Sequence, residues 1–152
     1  MNTFQQLDEY GQSKVIPELN NIFSGFSMTY EQHVIDKGRI DIYFTAEKNG
    51  NKYDYASECK DRWYTHTQFD EWFIEVDKYN ELMNSGKKPL YINTFKDDWL
   101  IIWDLQKCKT LKEEERWLDK STVAKWRGKV KKKIYLLSTK EAVISQKLSS
   151  CS

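Results

Sequence analysis

The order of helical and extended patterns in this chain of 152 residues indicates an α/β fold with an α-β-β-β-α-β core. Residues 38–60 carry the signature of two strands joined by a tight turn, and a helical pattern lies on each side of them. We expect a mixed central sheet flanked by helices, with additional strands toward the C-terminal end. The length favours a single domain over residues 1–152, with a core at about 14–105 and a basic extension at 106–152.

The predicted hairpin is the most clearly patterned part of the chain. Residues 40–46 alternate between apolar and polar side chains, which is the period of a strand. Asn49-Gly50 follows, and this dipeptide is the strongest short-range signal for a hairpin turn. The return strand, residues 52–60, places Ala56 and Glu58 on one face and Ser57 and Cys59 on the other.

Three charged side chains are expected to meet in this hairpin. Asp41 lies near the start of the first strand, and Glu58 and Lys60 lie near the end of the second, so antiparallel pairing brings them together. Two carboxylates and an ammonium at a strand end suit a metal site for phosphate chemistry, because Mg²⁺ prefers oxygen ligands and keeps several waters. The alternative is an ordinary cross-strand ion pair, worth at most about 1 kcal/mol.

Amphipathic patterns predict a helix on each side of the hairpin. Residues 3–24 place most of their apolar side chains on one stripe, and residues 67–84 form a wide apolar stripe at helical spacing. A capping box at Thr65 and Gln68 would begin the second helix. Residues 27–35 are expected to be extended and to add a strand before the hairpin.

The remainder of the chain is predicted in less detail. Two strands are expected over residues 90–105, with a polar turn at 96–98. Residues 106–129 are charged and irregular, with at most a short helix. A further strand is expected at 134–137, and a short terminal helix at 141–148.

The net charge of +1 hides an uneven distribution of charge. Residues 1–104 carry 11 Lys and Arg against 18 Asp and Glu, whereas residues 105–152 carry 13 against 5. An acidic body with a basic C-terminal third suits a polyanion held beside a metal site. The alternative is a solvated, lysine-rich surface without a partner.

Cysteine and histidine usage limits the kinds of site that the chain can form. Cys59, Cys108 and Cys151 are far apart and in no CxxC pair, which argues against a disulfide framework or structural zinc and fits a reducing compartment. His33 and His66 are too few for an imidazole-rich metal site. Because the N-terminus is polar and no apolar run approaches about 20 residues, we expect a soluble, intracellular protein with no membrane partner.

The pattern of Asp41 followed by Glu58-Cys59-Lys60, across a hairpin flanked by helices, resembles the PD-(D/E)XK nuclease superfamily, which has the restriction-endonuclease-like fold. The resemblance covers about residues 18–95, and Ile40 stands where proline is often found. It implies Mg²⁺, for which Mn²⁺ can substitute, held by the carboxylates of Asp41 and Glu58 and the backbone carbonyl of Cys59. Lys60 would orient or activate the attacking water and stabilise charge on the phosphate.

Two further positions fit the superfamily pattern. Glu18 matches the acidic residue that members often carry on the helix before the sheet, which implies a further metal ligand. Gln68, followed by Trp72, looks like the Q-x-x-x-Y variant on the following helix, with a catalytic role. Each has a plainer alternative: Glu18 as an acid favoured by the helix dipole, Gln68 as a cap residue and Trp72 as core. Trp63 and Tyr64 could stack on an unpaired base or simply cover the sheet edge.

The resemblance implies a Mg²⁺-dependent deoxyribonuclease that hydrolyses phosphodiester bonds, structure-selective and of the recombination or repair type. Small single-domain members of the superfamily include Holliday-junction resolvases, which work as dimers, so a homodimer is one expected assembly. The rival function is a catalytically inactive nucleic-acid-binding or assembly protein that retains the nuclease fold. The residues expected to contact DNA backbone phosphates are Lys125, Arg127, Lys129, Lys131, Lys132 and Lys133.

Overall fold

The computed structural model describes residues 14–32, 41–119 and 128–149. Two helices lie in these ranges, α1 over residues 14–22 and α2 over Val76–Met83. The strands are β1 (Ser27–Gln32), β2 (Ile42–Lys48), β3 (Asn51–Arg62), β4 (Glu71–Glu75), β5 (Lys88–Phe95), β6 (Trp99–Asp104), β7 (Lys112–Asp119), β8 (Lys129–Ser138) and β9 (Ile144–Lys147). Neither described helix has the length and apolar character that crossing a membrane requires.

The strands form two sheets. The larger has six strands in the order β1-β2-β3-β5-β6-β9, and the smaller has three in the order β4-β8-β7. Strands β3 and β5 are parallel, with α2 in the connection between them, and the other neighbouring pairs are antiparallel. The predicted α/β fold, with an α-β-β-β-α-β core around a mixed sheet and additional C-terminal strands, is therefore confirmed.

The β2–β3 hairpin forms at the predicted turn. Asn49 and Gly50 have φ angles of 54° and 80°, so both adopt the left-handed backbone that a two-residue type I′ turn requires. Lys48 pairs with Asn51 on either side of this turn, and the same register pairs Ile42 with Ser57 at the far end. The turn thereby determines which residues of β3 lie opposite the start of β2.

An apolar cluster covers each face of the six-stranded sheet. Helix α1 packs on one face, where the buried residues are Val15, Leu19, Ile42, Phe44, Leu90, Ile92, Leu100, Ile102 and Leu148. Helix α2 and the smaller sheet pack on the other face, where they are Ala56, Trp72, Ile74, Leu82, Tyr91, Phe95, Ile101, Trp103, Leu105 and Leu137. Strand β3 is thus covered on both sides over its central residues.

The helix predicted over residues 67–84 is wrong in its first half. Glu71–Glu75 forms strand β4, in which Trp72 and Ile74 are buried and the alternate residues are half-buried. The helix begins only at Val76. The aromatic and β-branched side chains of this segment fit a pleated surface, and its pairing with β8 overrides the helical spacing.

The C-terminal predictions also needed correction. Residues 112–119, predicted as irregular, form β7, whose charged sequence is held by pairing with the lysine-rich β8. The strand predicted at 134–137 is confirmed as part of β8. The terminal helix predicted at 141–148 is wrong, because Ile144–Lys147 forms the edge strand β9 beside β6. The predicted residues 3–13, 33–35, Lys125 and Arg127 lie outside the described residues.

We expect Gly50→Ala to lower the free energy of unfolding by about 1 kcal/mol, because alanine disfavours the left-handed backbone at this position. An added Cβ would meet nothing within 4 Å, so the cost comes from the backbone alone. Gly128→Ala is the matched control, since its Cβ also meets nothing and its φ lies outside the left-handed range. Urea denaturation of both variants measures the difference, and equal stabilities would contradict the assigned role of the turn.

Candidate active site

Asp41 directly precedes β2 and is fastened to β3 by two hydrogen bonds. The last pair of the ladder is Ile42 with Ser57, and the Asp41 N–H donates to the carbonyl of the same Ser57 at 3.1 Å, so the regular pairing ends here in the manner of a β-bulge. The Asp41 carboxylate then accepts a hydrogen bond from the Cys59 N–H, with 2.8 Å between Oδ2 and N. The side chain of Asp41 is therefore held against β3 between Glu58 and Lys60.

Glu58 is half-buried beneath helix α2. Its Oε1 lies 3.7 Å from the Nζ of Lys78, and the side chains of Glu58 and Lys78 are 13% and 28% exposed. An ion pair with this little exposure is screened less than one at the surface. The α2 side of the site is thus already positively charged.

Lys60 follows Glu58 on the same face of β3, about 6–7 Å further along the strand. Although Lys60 is an exposed residue, desolvation of its amine lowers the pKa, and the charge of Arg62 lowers it further. The carboxylates of Glu58, Glu75 and Asp41 act in the opposite direction. Lys60 is therefore within electrostatic reach of both Asp41 and Glu58, and these three residues are the ones that the structure brings together.

The oxygen atoms around Asp41 and Glu58 suit a hard cation with few protein ligands. In an antiparallel ladder the N–H and C=O of one residue point toward the same neighbouring strand. Because the Cys59 N–H donates to Asp41, the Cys59 carbonyl also points toward Asp41. Within residues 14–32, 41–119 and 128–149, no group of three His, Cys, Asp or Glu side chains is arranged to hold a metal ion. Two carboxylates, one carbonyl and water oxygens match the way Mg²⁺ is usually bound.

The structure does not bring Glu18 to this group. Its carboxylate is fully buried and accepts hydrogen bonds from Gln146 Nε2 at 2.7 Å and from the Ser149 N–H and hydroxyl at 2.9 and 3.1 Å. Gln146 belongs to β9, three strands from β3, which is about 14 Å at the usual spacing. Helix α1 also covers the face of the sheet opposite to Glu58. Glu18 ties α1 to the C-terminal segment.

Gln68 lies in a turn and not on a helix. Its N–H donates to the Thr65 carbonyl at 3.1 Å, and the residue is exposed. It comes six residues after the end of β3 at Arg62, so the helical placement on which its catalytic role depended is absent. Trp72, which was paired with it, is 3% exposed and belongs to the core.

The basic residues of β8 divide between the two faces of the smaller sheet. Lys129, Lys131 and Lys133 alternate on one face and are exposed. Lys132 lies on the other face, where its Nζ is 2.8 Å from Glu75 Oε1. Lys131 forms an ion pair of 3.1 Å with Glu115 of β7. Three of the predicted phosphate contacts therefore share a surface and Lys132 does not.

Sequence reasoning missed Arg62, the next residue on the Glu58–Lys60 face of β3. It is 8% exposed, its Nε donates to Asn93 Oδ1 at 2.8 Å, and Nη2 donates to the Phe73 carbonyl at 2.7 Å and the Tyr91 hydroxyl at 2.9 Å. Burial raises the pKa of Tyr91, so the phenol stays neutral beside the guanidinium. The alternation Glu58, Lys60, Arg62 is the signal that could have identified it.

A cleft of about 470 Å³ opens where β3 ends and the smaller sheet begins. We call it the aromatic cleft. Its walls include Arg62, Tyr64, Phe69, Trp72, Phe73 and Arg116. The rings of Tyr64 and Trp72 each lie beside Phe69, with centroids 5.2 Å away, and Tyr64 and Phe69 are about half exposed.

His66 is held in place by a stacked ring and a carboxylate outside the candidate site. Its ring stacks on Trp99 at 4.0 Å, and its Nδ1 lies 2.6 Å from Asp97 Oδ2. Partial burial acts to raise the pKa of Asp97, but the hydrogen bonds from the His66 ring and backbone outweigh it and lower that pKa. This pair fixes the loop after β3 to the turn between β5 and β6.

The fold resembles that of a known nuclease, although the sequence does not. No model of a known protein family matches the chain, and no curated protein matches it. A solved structure of Hjc, a Holliday junction resolvase from the archaeal hyperthermophile Archaeoglobus fulgidus, is similar with a TM-score of 0.51 and 13% identity. The similarity covers 94% of this chain and 93% of that chain. At this identity the likeness shows a shared α/β fold.

We expect Lys60→Met to raise the free energy of unfolding at neutral pH. Because the pKa of Lys60 is lower in the folded protein than in the unfolded chain, the unfolded chain binds more protons between these two pKa values. Lys60 therefore makes stability rise with pH across that window, and the methionine variant lacks this rise. Urea denaturation from pH 7 to 11 measures it, with Lys52→Met at the exposed start of β3 as control. A variant less stable than the wild type at pH 7 would contradict the assigned desolvation.

Proposed function

We propose that this protein is a metal-dependent nuclease that hydrolyses phosphodiester bonds in DNA, structure-selective and of the recombination or repair type. The observation that carries the proposal is the hydrogen bond from the Cys59 N–H to the Asp41 carboxylate, which holds that carboxylate beside the strand segment of Glu58 and Lys60, with the Lys60 amine within electrostatic reach of both carboxylates. The similarity of the fold to that of a Holliday junction resolvase supports it by analogy. A four-way DNA junction bound by a homodimer is the assembly that this analogy favours.

The carboxylates of Asp41 and Glu58 and the carbonyl of Cys59 would hold Mg²⁺, or Mn²⁺ in its place. When bound, the ion supplies Lewis-acid polarisation of the phosphoryl oxygen and a bound water of lowered pKa. The Cys59 N–H, through its hydrogen bond to Asp41 Oδ2, positions the carboxylate for this role. Gln68 and Glu18 are not needed for this donor set.

Lys60 would bind the phosphate and orient the attacking water. Its ammonium lies on the same face as Glu58, so it can donate a hydrogen bond to an oxygen of the phosphate beside that carboxylate. The lowered pKa brings the amine closer to neutrality, which makes proton exchange with the attacking water easier than for a free lysine. One side chain therefore contributes both charge and proton transfer.

The lysines on the exposed face of β8 would bind the DNA backbone at a distance from the site of cleavage. Lys129, Lys131 and Lys133 point the same way along the strand, at intervals of about 6–7 Å. Contacts of ammonium groups with phosphates carry no sequence information, which suits an enzyme that selects DNA by its structure. Lys125 and Arg127, which lie outside the described residues, remain phosphate contacts predicted from the sequence alone.

A second candidate is a DNA-binding or assembly protein that retains the fold without catalysis. The observation that favours it is the ion pair of Glu58 with Lys78, which places an ammonium 3.7 Å from a carboxylate proposed to bind the metal. In that case Lys78 would take over the charge compensation that the ion supplies in the nuclease.

The two candidates differ in whether the protein cuts DNA. We expect cleavage of at least one of linear, flapped, single-stranded and four-way DNA with Mg²⁺ or Mn²⁺. Asp41→Asn, Glu58→Gln and Lys60→Met should each lower the cleavage rate by about 10²–10⁴-fold, because each removes a group that acts on the reacting phosphate or water. The readout is product formation on a denaturing gel.

Asp61→Asn is the matched control for these variants. Asp61 lies on the same strand but on the other face, where it accepts a hydrogen bond from Thr94 and pairs with Lys14. Its variant should cut at a rate close to that of the wild type. Binding without cleavage of any substrate would establish the second candidate, and cleavage that is indifferent to all three site variants would contradict the assigned residues.

The DNA-binding surface is tested by salt dependence. Replacing Lys129, Lys131 and Lys133 together with alanine should weaken binding by a similar factor for every sequence and reduce the slope of log K against log[salt] by about one for each phosphate that is no longer neutralised. Lys140→Ala with Lys147→Ala is the control, because both lysines are exposed outside β8. Fluorescence anisotropy between 50 and 200 mM salt, roughly the range in which counterion release is usually measured, gives the slope. An unchanged slope would identify the β8 lysines as a solvated face.

A further inference from the structure

The aromatic cleft begins on the strand that carries the candidate active site. Arg62 lines it and lies two residues after Lys60 on the same face of β3. A DNA strand with one phosphate at Lys60 that continues along β3 would pass the mouth of the cleft, where a neighbouring nucleotide could turn in.

The walls of the cleft offer flat apolar surfaces with exposed edges. Phe69 stands between Tyr64 and Trp72 and is 46% exposed. Trp72 is 3% exposed, and its indole N–H is buried without a hydrogen-bond partner among the described residues. A buried donor without a partner is costly, and Trp72 carries this cost at the wall of the cleft.

Two guanidinium groups accompany these rings. Arg62 and Arg116 both lie over Phe73, with 4.7 and 5.7 Å from Cζ to the ring centroid. The hydrogen bonds of Arg62 within the described residues go to neutral acceptors, namely an amide, a carbonyl and a phenol. Arg116 is paired with Glu114 at 3.1 Å, so Arg62 is the guanidinium of the cleft that has only neutral hydrogen-bond partners among the described residues.

We propose that the aromatic cleft takes one unpaired nucleotide of the DNA, next to the phosphate at Lys60. This proposal rests on the proposed function for the identity of the polymer. The volume of about 470 Å³ lies in the ordinary range for small-ligand sites. The rings stack with the base, and the charge of Arg62 lies on the side of the cleft that leads to Lys60. The structure preferred by the enzyme is then a duplex interrupted by an unpaired base.

The acidic residues of the cleft narrow the choice of base. Asp70, Glu71 and Glu114 also line it, and ionised carboxylates only accept hydrogen bonds. The exocyclic amino group of an unpaired adenine offers two N–H donors, whereas an unpaired thymine offers one imino N–H between two carbonyl oxygens, which ionised carboxylates repel. The cleft should therefore bind an unpaired adenine more tightly than an unpaired thymine.

The test compares two labelled duplexes that differ by one unpaired adenine, bound by the full chain in EDTA so that no cleavage occurs. We expect the wild type to favour the interrupted duplex by about tenfold, the usual size of one base-stacking contact. Phe69→Ala should remove most of this preference and leave affinity for the continuous duplex unchanged. The control is Tyr53→Ala, since Tyr53 is 38% exposed at the opposite end of β3.

A second readout locates the base. With 2-aminopurine at the unpaired position, binding by the wild type and by Tyr53→Ala should quench its fluorescence through stacking, and binding by Phe69→Ala should not. Replacing the unpaired adenine with thymine should lower affinity several-fold, and Asp70→Asn should reduce that difference. Equal affinity for both duplexes, or a preference and quenching that survive Phe69→Ala, would overturn the proposal.

The outcome is separable from that of the proposed function. A preference that depends on Phe69, found in a protein that cuts no DNA, would support the nucleotide site and contradict the nuclease. Cleavage that depends on Asp41, Glu58 and Lys60, found with no preference for the unpaired base, would support the nuclease and contradict the nucleotide site.

Discussion

The register of the β2–β3 hairpin is the constraint on which the candidate site depends. The pairs run from Lys48 with Asn51 at the two-residue turn to Ile42 with Ser57 next to Asp41, and a slip of one residue would move every side chain of one strand to the other face. The turn at the opposite end of the hairpin therefore determines which residues of β3 lie beside Asp41. Pairing along the whole of β2 transmits this alignment without any contact between the turn and the site.

The position of β3 in the sheet explains why charged groups can be held there. It lies between an antiparallel neighbour, β2, and a parallel neighbour, β5, with an apolar cluster on each face. Toward its C-terminal end the core gives way to Glu58, Lys60 and Arg62, whose charges are held by neighbouring elements. A rigid strand with a polar end combines fixed geometry with access for a large substrate, which is the arrangement expected of a site that acts on a polymer.

Features that depend on a strong local sequence signal could be predicted, and features that depend on distant parts of the chain could not. The turn at Asn49-Gly50 requires a particular backbone, so the β2–β3 hairpin could be predicted from it. Strand β4 was predicted as a helix because the apolar spacing around Trp72 fits both periods, and its partner β8 is more than 50 residues away. Glu18 fits the family spacing but is held by Gln146, a contact that no local pattern reveals. Arg62, by contrast, continues the alternation of Glu58 and Lys60 along β3 and could have been found from that local pattern.

The hydrogen bonds of Glu18 also bear on how the chain folds. They join α1 to Ser149, across a separation of 131 residues, and β9 adds the last strand to the sheet beside β6. Contacts of such long range are entropically costly to form early, so a chain closed in this way is expected to fold slowly. Until β9 pairs with β6, the apolar edge of β6 is exposed to solvent, and chains can associate through such an edge during synthesis. The buried carboxylate of Glu18 holds the C-terminal segment in place and so helps to keep this edge covered.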